Sequence, residues 1–288
     1  MTKKFNKEQK AEWKAKKAAE TKDLLAKIEA GVERITTGAE WKAFLDFKSK
    51  FHNYSFNNQC LIYLHNPNAS HVAGYKAWQK LGRQVKKGEK GIRILAPAPM
   101  KIEDKKTGEE KLVYCRFKAV SVFDISQTEG DDLPSGSFAS AVEGDSVSAT
   151  VRSGLVDFAN DLGFSVEFNS EMDEHPGANG VCKFKAKEIE IANGLDADHE
   201  IKTLIHEIGH AVMHSGYNKE FGELHSIASA EVEAESVAFC VSNIIGLDTG
   251  CYSFGYVAGW SGGDVEKIRE SGDRITKCVA QIASAIAA

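Results

Sequence analysis

No apolar run in this chain of 288 residues approaches the roughly 18 residues of a membrane-spanning helix. The opening stretch, MTKKFNKEQKAEWKAKKAAE, is charged and lacks the apolar core of a signal peptide. Cysteine is sparse: six residues, at 60, 115, 182, 240, 251 and 278, lie far apart with no CxxC pair. That spacing argues against a disulfide framework and against a cysteine-zinc module, and it suits reduced thiols in a cytoplasm. No internal repeat, phosphate-loop pattern, helix-turn-helix or zinc-finger spacing is visible, which disfavours ATP use and double-strand sequence readout. With 42% apolar and 27% charged residues, the composition is that of a folded protein. The expectation is a soluble cytoplasmic protein of one large or two modest domains, with no membrane partner.

What is present is polarised charge. Residues 1–130 carry 26 Lys and Arg against 15 Asp and Glu, whereas the remainder carries 10 against 26. A basic half of this kind meets a polyanion or presents a solvated lysine face, and charge alone leaves both open. Residues 131–150, within GDDLPSGSFASAVEGDSVSAT, read as a linker at the point where the sign switches. The organisation expected is a charged helical arm over 1–36, a small basic α+β domain over 37–130, the linker, and an acidic domain over 151–288. Trp41–Phe51 has helical spacing with a broad aromatic face. Helices are also expected over Ser55–Leu64 and Gly74–Leu81. Strands are expected over Gly91–Ala96 and Lys111–Asp124, with Val113, Cys115, Phe117, Ala119, Ser121 and Phe123 facing inward and EDKKTGEE as the hairpin tip. The second half predicts a helix over Val151–Leu162, strands over Phe164–Phe168 and Gly180–Ala192, and three further helices. The first of these runs from about His199 to His214 behind an Asp196 cap, the second over Ser229–Ile245 with Gly246 ending it, and the third over Asp264–Ile286.

The sharpest motif is His206-Glu207-Ile208-Gly209-His210, an HExxH within the His199–His214 helix. Residues i and i+4 are rotated by only ~40°, so both imidazoles can reach one zinc ion. Glu207 lies about 100° round the helix, placed to take a proton from bound water without being a ligand. A catalytic zinc site needs a third protein ligand and one open position. The next helix supplies Glu231, Glu233 and Glu235. Glu231 and Glu235 share a face across Ala234 and Ala238, which assigns Glu231 as ligand and Glu235 as hydrogen-bond partner of a ligating histidine, with Glu233 as the rival. His214 extends the stripe by four residues and reads as a packing or supporting residue. His199 and His225 read as surface polar residues. Tyr217, Tyr252, Tyr256 and Trp260 are aromatic neighbours, among which Tyr256 is the candidate oxyanion donor.

In the basic half, residues 75–93 interleave Tyr75 and Trp78 with Lys76, Lys80, Arg83, Lys86, Lys87, Lys90, Arg93 and three glycines. Cations that follow phosphates, beside rings on which bases stack, hold single-stranded nucleic acid. Tyr54, Phe56, Asn57 and Tyr63 are further candidates for that surface. A buried Trp78 with solvated lysines is the competing arrangement.

Taken together, YSFNNQCLIYLHNP (54–67), HVAGYKAWQKLGRQVKKGEKGIRILAP (71–97), VFDISQTEG (122–130), TLIHEIGHAVMH (203–214), EVEAESVAF (231–239) and YSFGYVAGW (252–260) resemble the ArdC-type antirestriction proteins of plasmids, phages and conjugative elements. The resemblance implies a single-stranded-DNA-binding N-terminal domain and a zincin-like metallopeptidase C-terminal domain. It also implies protection of incoming single-stranded DNA from restriction. His206 and His210 match the family's metal histidines, Glu207 its base, and Glu231 the first Glu of an ExxAE pattern. That pattern is similar to the third-ligand helix of other HExxH peptidases, the HExxH…E or gluzincin-like type. The expected partners are single-stranded DNA and a protein substrate such as a host nuclease or a protein bound or crosslinked to DNA. A DNA-binding protector with a structural zinc site is the alternative.

Overall fold

The computed structural model describes residues 7–35, 38–51, 53–103, 110–133, 145–172, 175–216, 221, 226–248 and 264–286. The expected hairpin tip, most of the expected linker, and Tyr217, His225, Tyr252, Tyr256 and Trp260 lie outside these residues. The fold is α+β in two compact units. The first joins Met1–Val32 to Asn57–Leu133, and the second joins Glu33–Phe56 to Pro134–Ala288. No helix among the described residues is long and apolar enough to cross a membrane.

The first unit begins with helix α1 (Lys7–Arg34). Its charged surface is interrupted by Leu24, Ile28 and Val32, all buried, which recur every four residues as a packing stripe. Gly31 keeps this face low: a Cβ there would stand 2.5 Å from Leu64 Cδ1. Leu64 belongs to helix α3 (Phe56–His65). Strands β1 (Val72–Gly74), β3 (Ile92–Glu103) and β4 (Glu110–Asp124) form an antiparallel sheet in the order β1-β4-β3. Asn58 of α3 pairs its amide with that sheet, donating to the Leu95 carbonyl and accepting from the Leu95 N–H, both at 2.8 Å. Ala119 is buried as expected, but the inward phase at the end of β4 differs from the expected one. Val122 and Asp124 are buried, whereas Phe117 is 58% exposed. The β-branched Val122 sets the apolar face at this end, and Ser121 and Phe123 fall on the other side of the pleat.

Helix α4 (Tyr75–Lys80) leads into β2 (Arg83–Val85), which pairs with β5 (Thr128–Gly130). Gly130 must be glycine here. Its φ is +133°, and a Cβ would stand 2.3 Å from the Gly82 carbonyl oxygen.

The second unit contains helix α2 (Gly38–Ser49), which was expected in the basic domain. Its aromatic face packs on helices of the C-terminal half. The Trp41 indole donates to Ser236 Oγ at 3.0 Å, and Phe44 meets Phe56 edge to face. A Cβ on Gly272 would stand 2.3 Å from the Phe56 ring. The aromatic stripe finds its apolar partner there, and residues 33–56 group with the C-terminal half.

The rest of the unit comprises α5 (Asp145–Asp161), β6 (Ser165–Ser170), β7 (Gly180–Lys183), β8 (Glu188–Ala192), α6 (Ala197–His214), α7 (Ile227–Ile244) and α8 (Val265–Ile286). The sheet runs β6-β8-β7, parallel between β6 and β8 and antiparallel between β8 and β7. The single strand expected over Gly180–Ala192 is a hairpin. Residues 184–187 turn, with Lys187 at φ +56°, and the lysine alternation continues in phase through that turn. Ile189 and Ile191 of β8 are fully buried. The Asp196 side chain accepts from the His199 N–H and starts α6, and Ser226 caps α7.

Candidate metal centre and basic surface

Helices α6 and α7 pack with Gly209 against Ala234. A Cβ on the glycine would be 3.5 Å from the Ala234 Cα. Small residues at the contact let the longer side chains on either side of it meet. His206 Nε2 lies 3.1 Å from His210 Nε2. Glu231 reaches both rings, with Oε2 3.6 Å from His206 Nε2 and Oε1 3.5 Å from His210 Nε2. One ligand atom from each of these three residues falls within 4.8 Å of the others. Two imidazole nitrogens and a carboxylate converging in this way are a donor set that fits one divalent cation.

Glu235, one turn beyond Glu231, places Oε2 3.3 Å from His206 Nδ1. Glu233 points elsewhere: it is fully buried and its Oε2 lies 2.9 Å from His214 Nε2. His199 is exposed, with Nε2 3.3 Å from Asn179 Nδ2, and stands outside the cluster of three.

Electrostatics reflects the crowding. Burial opposes a charged His206, but hydrogen bonding to Glu231 and Glu235 outweighs it and pushes the imidazole up to about 9. The His206 and His210 rings hold Glu231 well below the usual carboxylate range. Glu207 is buried, and burial pushes its carboxyl up to about 7 against the opposing pull of His206. The Cys182 N–H of β7 donates to that carboxyl, while burial and the Glu207 charge push the Cys182 thiol up to about 12.

A cleft of roughly 350 Å³ opens beside these groups, lined by Asn179, Gly180, Lys202, Thr203, His206 and Glu207 among others. Strand β7 forms one wall. It pairs only with β8 among the described residues, and Asn179 and Gly180 at its start line the cleft. Gly180 is required for this approach: a Cβ would stand 2.6 Å from Thr203 Cγ2 and 3.0 Å from Glu207 Oε1. Sequence reasoning missed Asn179, Lys202 and Thr203, although the i−3 and i−4 positions before His206 on the same helix face were the available signal.

The basic surface belongs to the first unit. Tyr75, Lys76, Lys80, Lys86, Lys87 and Lys90 are exposed. A second cleft, of roughly 490 Å³, is bounded there by Tyr75, Gln84, Lys86, Lys87, Glu89 and Phe123 among others. Four expected members are otherwise engaged. Trp78 is 1% exposed and its indole N–H donates to the Phe123 carbonyl at 2.9 Å, so it anchors the sheet and offers no stacking face. Phe56 is buried in the second unit. Arg83 donates to Thr128 Oγ1, to the Thr128 and Gly130 carbonyls and to the Asp131 carbonyl. Arg93 donates to Ser121 Oγ and the Ala119 carbonyl and is ion-paired with Glu20. Tyr54 and Asn57 are half-buried, and burial raises the Tyr54 hydroxyl pKa. Phe117, beside Arg116 and Lys118 in sequence, is an exposed ring that the expected alternation had turned inward.

A family model described as the N-terminal domain of anti-restriction factor ArdC matches residues 13–123. Residues 13–123 of this chain are similar to that domain. That match runs from within α1 to the last residues of β4 and leaves β5 outside it. The chain is also 27% identical to the uncharacterized protein pXO2-81 of Bacillus anthracis, a match that covers 86% of this chain and 48% of that protein. It therefore spans about half the length of that relative. Two crystal structures of the antirestriction ArdC protein from the R388 plasmid, metal-free and Mn(II)-bound, are 21% identical to it. They give TM-scores of 0.49 and 0.48 over 81% of this chain and 83% and 85% of theirs.

Proposed function

We propose that this chain is an ArdC-type protein that binds single-stranded DNA through its basic unit and carries a zinc-dependent peptide-hydrolase site in its second unit, so that it acts in antirestriction on DNA-associated protein. The observation that carries the enzymatic half is the convergence of His206, His210 and Glu231 beside a buried Glu207 in a strand-edged cleft. His206, His210 and Glu231 would hold the ion. Zinc bound by two imidazoles and a carboxylate supplies a Lewis acid for a peptide carbonyl and brings the pKa of water to about 7.

The remaining steps belong to the protein. Glu207, with its carboxyl raised to about 7, is matched to accept a proton from water at neutral pH and return it to a leaving amine. Glu235 holds His206 by its Nδ1 side, leaving Nε2 turned to the cluster. An extended peptide would add along the outer edge of β7 as a further strand, taking over the Cys182 N–H that Glu207 now accepts from. A structural zinc site is closed by four protein ligands, and three are grouped among the described residues, which favours the open, catalytic arrangement over the zinc-only structural role.

On the DNA side, the exposed lysines would follow phosphates while Tyr75 and Phe117 offer faces for bases. The reading is tested with Glu207→Gln in the whole protein, loaded with zinc(II) and offered unstructured peptides with and without a single-stranded oligonucleotide. Cleavage by the unmutated protein and its loss in the variant, with zinc and DNA affinities retained, supports the proposal. Equal cleavage by both proteins overturns the role of Glu207. Absence of cleavage by either, with DNA binding intact, turns the reading to a DNA-binding protector.

A further inference from the structure

We infer that the cleft bounded by Tyr75, Gln84, Glu89, Phe123 and Glu129 is a subsite for one unstacked nucleobase carrying an exocyclic amino group, so that the protein discriminates against thymine. The inference rests on the single-stranded-DNA reading above and adds to it which bases that surface accepts.

The aromatic wall is held in place. The Tyr75 ring is exposed, and its hydroxyl accepts from Gln84 Nε2, which fixes the ring. Phe123 sits on β4, the central strand of its sheet. Its ring centroid lies 6.4 Å from that of Tyr75, with the planes at 70°. Two rings at that angle make a corner in which a third planar group can stack on one face and meet the edge of the other. The cleft they border measures roughly 490 Å³, within the roughly 300–1,000 Å³ of small-ligand sites.

The polar lining selects what enters. Glu129 lies directly opposite Gln84 in the β2–β5 pair, so the two side chains leave the ribbon on one face. Glu89 ends the turn after β2, where its N–H donates to the Lys86 carbonyl at 3.3 Å. Its Oε2 accepts from Gln127 Nε2 at 2.8 Å, which positions the carboxylate and leaves it further acceptor capacity. An ionised carboxylate only accepts, so it pairs with N–H donors. Cytosine, adenine and guanine each carry an amino group, and a carboxylate accepting from cytosine N4 is a recurring base contact. Thymine has carbonyl oxygens on both sides of its one ring N–H, and an oxygen facing a carboxylate is repelled.

Charge separates the base from other occupants. Two carboxylates in the lining disfavour a phosphate inside the cleft. A cationic side chain would suit both the rings and the carboxylates. Lys86 and Lys87 line the same cleft, however, and Lys76, Lys80 and Lys90 are exposed in the same unit. These lysines repel a basic peptide and attract the phosphates on either side of a base. A nucleotide within a strand meets both demands, with a neutral donor edge and anionic flanks.

The test compares fluorescently labelled oligo(dC) and oligo(dT) of equal length, titrated with the whole protein at one salt concentration and read by anisotropy. Oligo(dC) should bind about five- to tenfold more tightly, the lower end of what a hydrogen-bonded base edge contributes to discrimination. In Glu129→Gln the ratio of the two affinities should fall toward one, because the glutamine amide can donate to a thymine carbonyl. Equal affinities for the unmutated protein, a preference for oligo(dT), or a ratio unmoved by Glu129→Gln each overturn the inference and leave the DNA reading standing. Absence of binding to either oligonucleotide removes the DNA reading and the inference with it. A second measurement does not depend on the variant: an oligonucleotide with one 5-iodocytosine is photocrosslinked to the unmutated protein and the adduct mapped by mass spectrometry. Attachment at Tyr75 or Phe123 is expected, and attachment only elsewhere overturns the subsite.

Discussion

Gly209 of α6 faces Ala234 of α7 with space for one methyl group and no more: a Cβ on the glycine would stand 3.5 Å from the Ala234 Cα and 3.7 Å from its Cβ. The pair sets how closely the two helices approach, and with it whether Glu231 can reach His206 and His210. Gly209→Ala should be tolerated or should stabilise by up to about 1 kcal/mol, since alanine is the better helix residue. Gly209→Leu should cost about 1–3 kcal/mol through overpacking and should weaken zinc(II) binding as the helices part. Thermal unfolding with chelator competition on both variants checks this. Unchanged metal affinity in a folded Gly209→Leu protein would show that the helix contact does not set the site.

Acid stability of the basic unit should depend on Asp124. This carboxylate closes β4, accepting from the Ser70 and His71 N–H groups through Oδ2 and from the Ser126 N–H through Oδ1. Burial raises its pKa, but these hydrogen bonds together outweigh burial and hold it below the ordinary value. A carboxylate depressed in the folded state stabilises above its unfolded pKa of about 4, and that stability is lost as pH falls toward and through the folded value. Asp124→Asn should therefore cost about 2 kcal/mol at pH 7, and the difference from the unmutated protein should shrink below pH 4. Urea midpoints of both proteins at pH 7 and pH 3 measure it; a difference that is constant across that range contradicts the assignment.

Periodicity made the helices and the HExxH geometry legible, because i and i+4 positions fix a shared face whatever the tertiary setting. The spacing of Glu231 and Glu235 put both carboxylates on that face, and the structure brings one to both histidine rings and the other to His206 Nδ1. The role of Glu233 was not legible, since its partners His214 and Arg274 lie on two other helices. Contacts between distant elements also moved α2 out of the basic unit. A stripe such as Trp41, Phe44 and Leu45 announces a buried face but not which surface covers it. Phe117 was misread for a different reason: β4 has apolar residues in both phases near its end, so alternation could not choose a face.

Single-stranded DNA affinity should divide the basic residues by their existing partners. Lys76, Lys80, Lys87 and Lys90 are exposed side chains, whereas Arg83 is occupied by three carbonyls and a hydroxyl. Changing the four lysines to glutamine should flatten the dependence of log affinity on log salt by up to about 0.7 per lost phosphate contact, with thermal stability unaltered. Arg83→Gln should instead loosen the β2–β5 pair and lower the unfolding midpoint. Fluorescence anisotropy at several salt concentrations, alongside thermal melts, separates the two effects. A salt slope unmoved by the four substitutions would direct attention away from this surface.

The aromatic residues should split in the same manner. Trp78 is 1% exposed with its N–H committed to the Phe123 carbonyl, so truncation to alanine should destabilise the unit by about 3–5 kcal/mol. Trp78→Phe keeps most of the buried area, loses the hydrogen bond, and should leave DNA affinity per folded molecule unchanged. Tyr75 and Phe117 are exposed at 43% and 58%, and their loss removes little from the core. Tyr75→Ala or Phe117→Ala should each cost about 1–3 kcal/mol of binding if a base stacks there, with little change in unfolding midpoint. The decisive comparison is anisotropy of Trp78→Phe against Phe117→Ala on one oligonucleotide. Weaker binding by the first and unchanged binding by the second would reverse the assignment of stacking surface made from their burial.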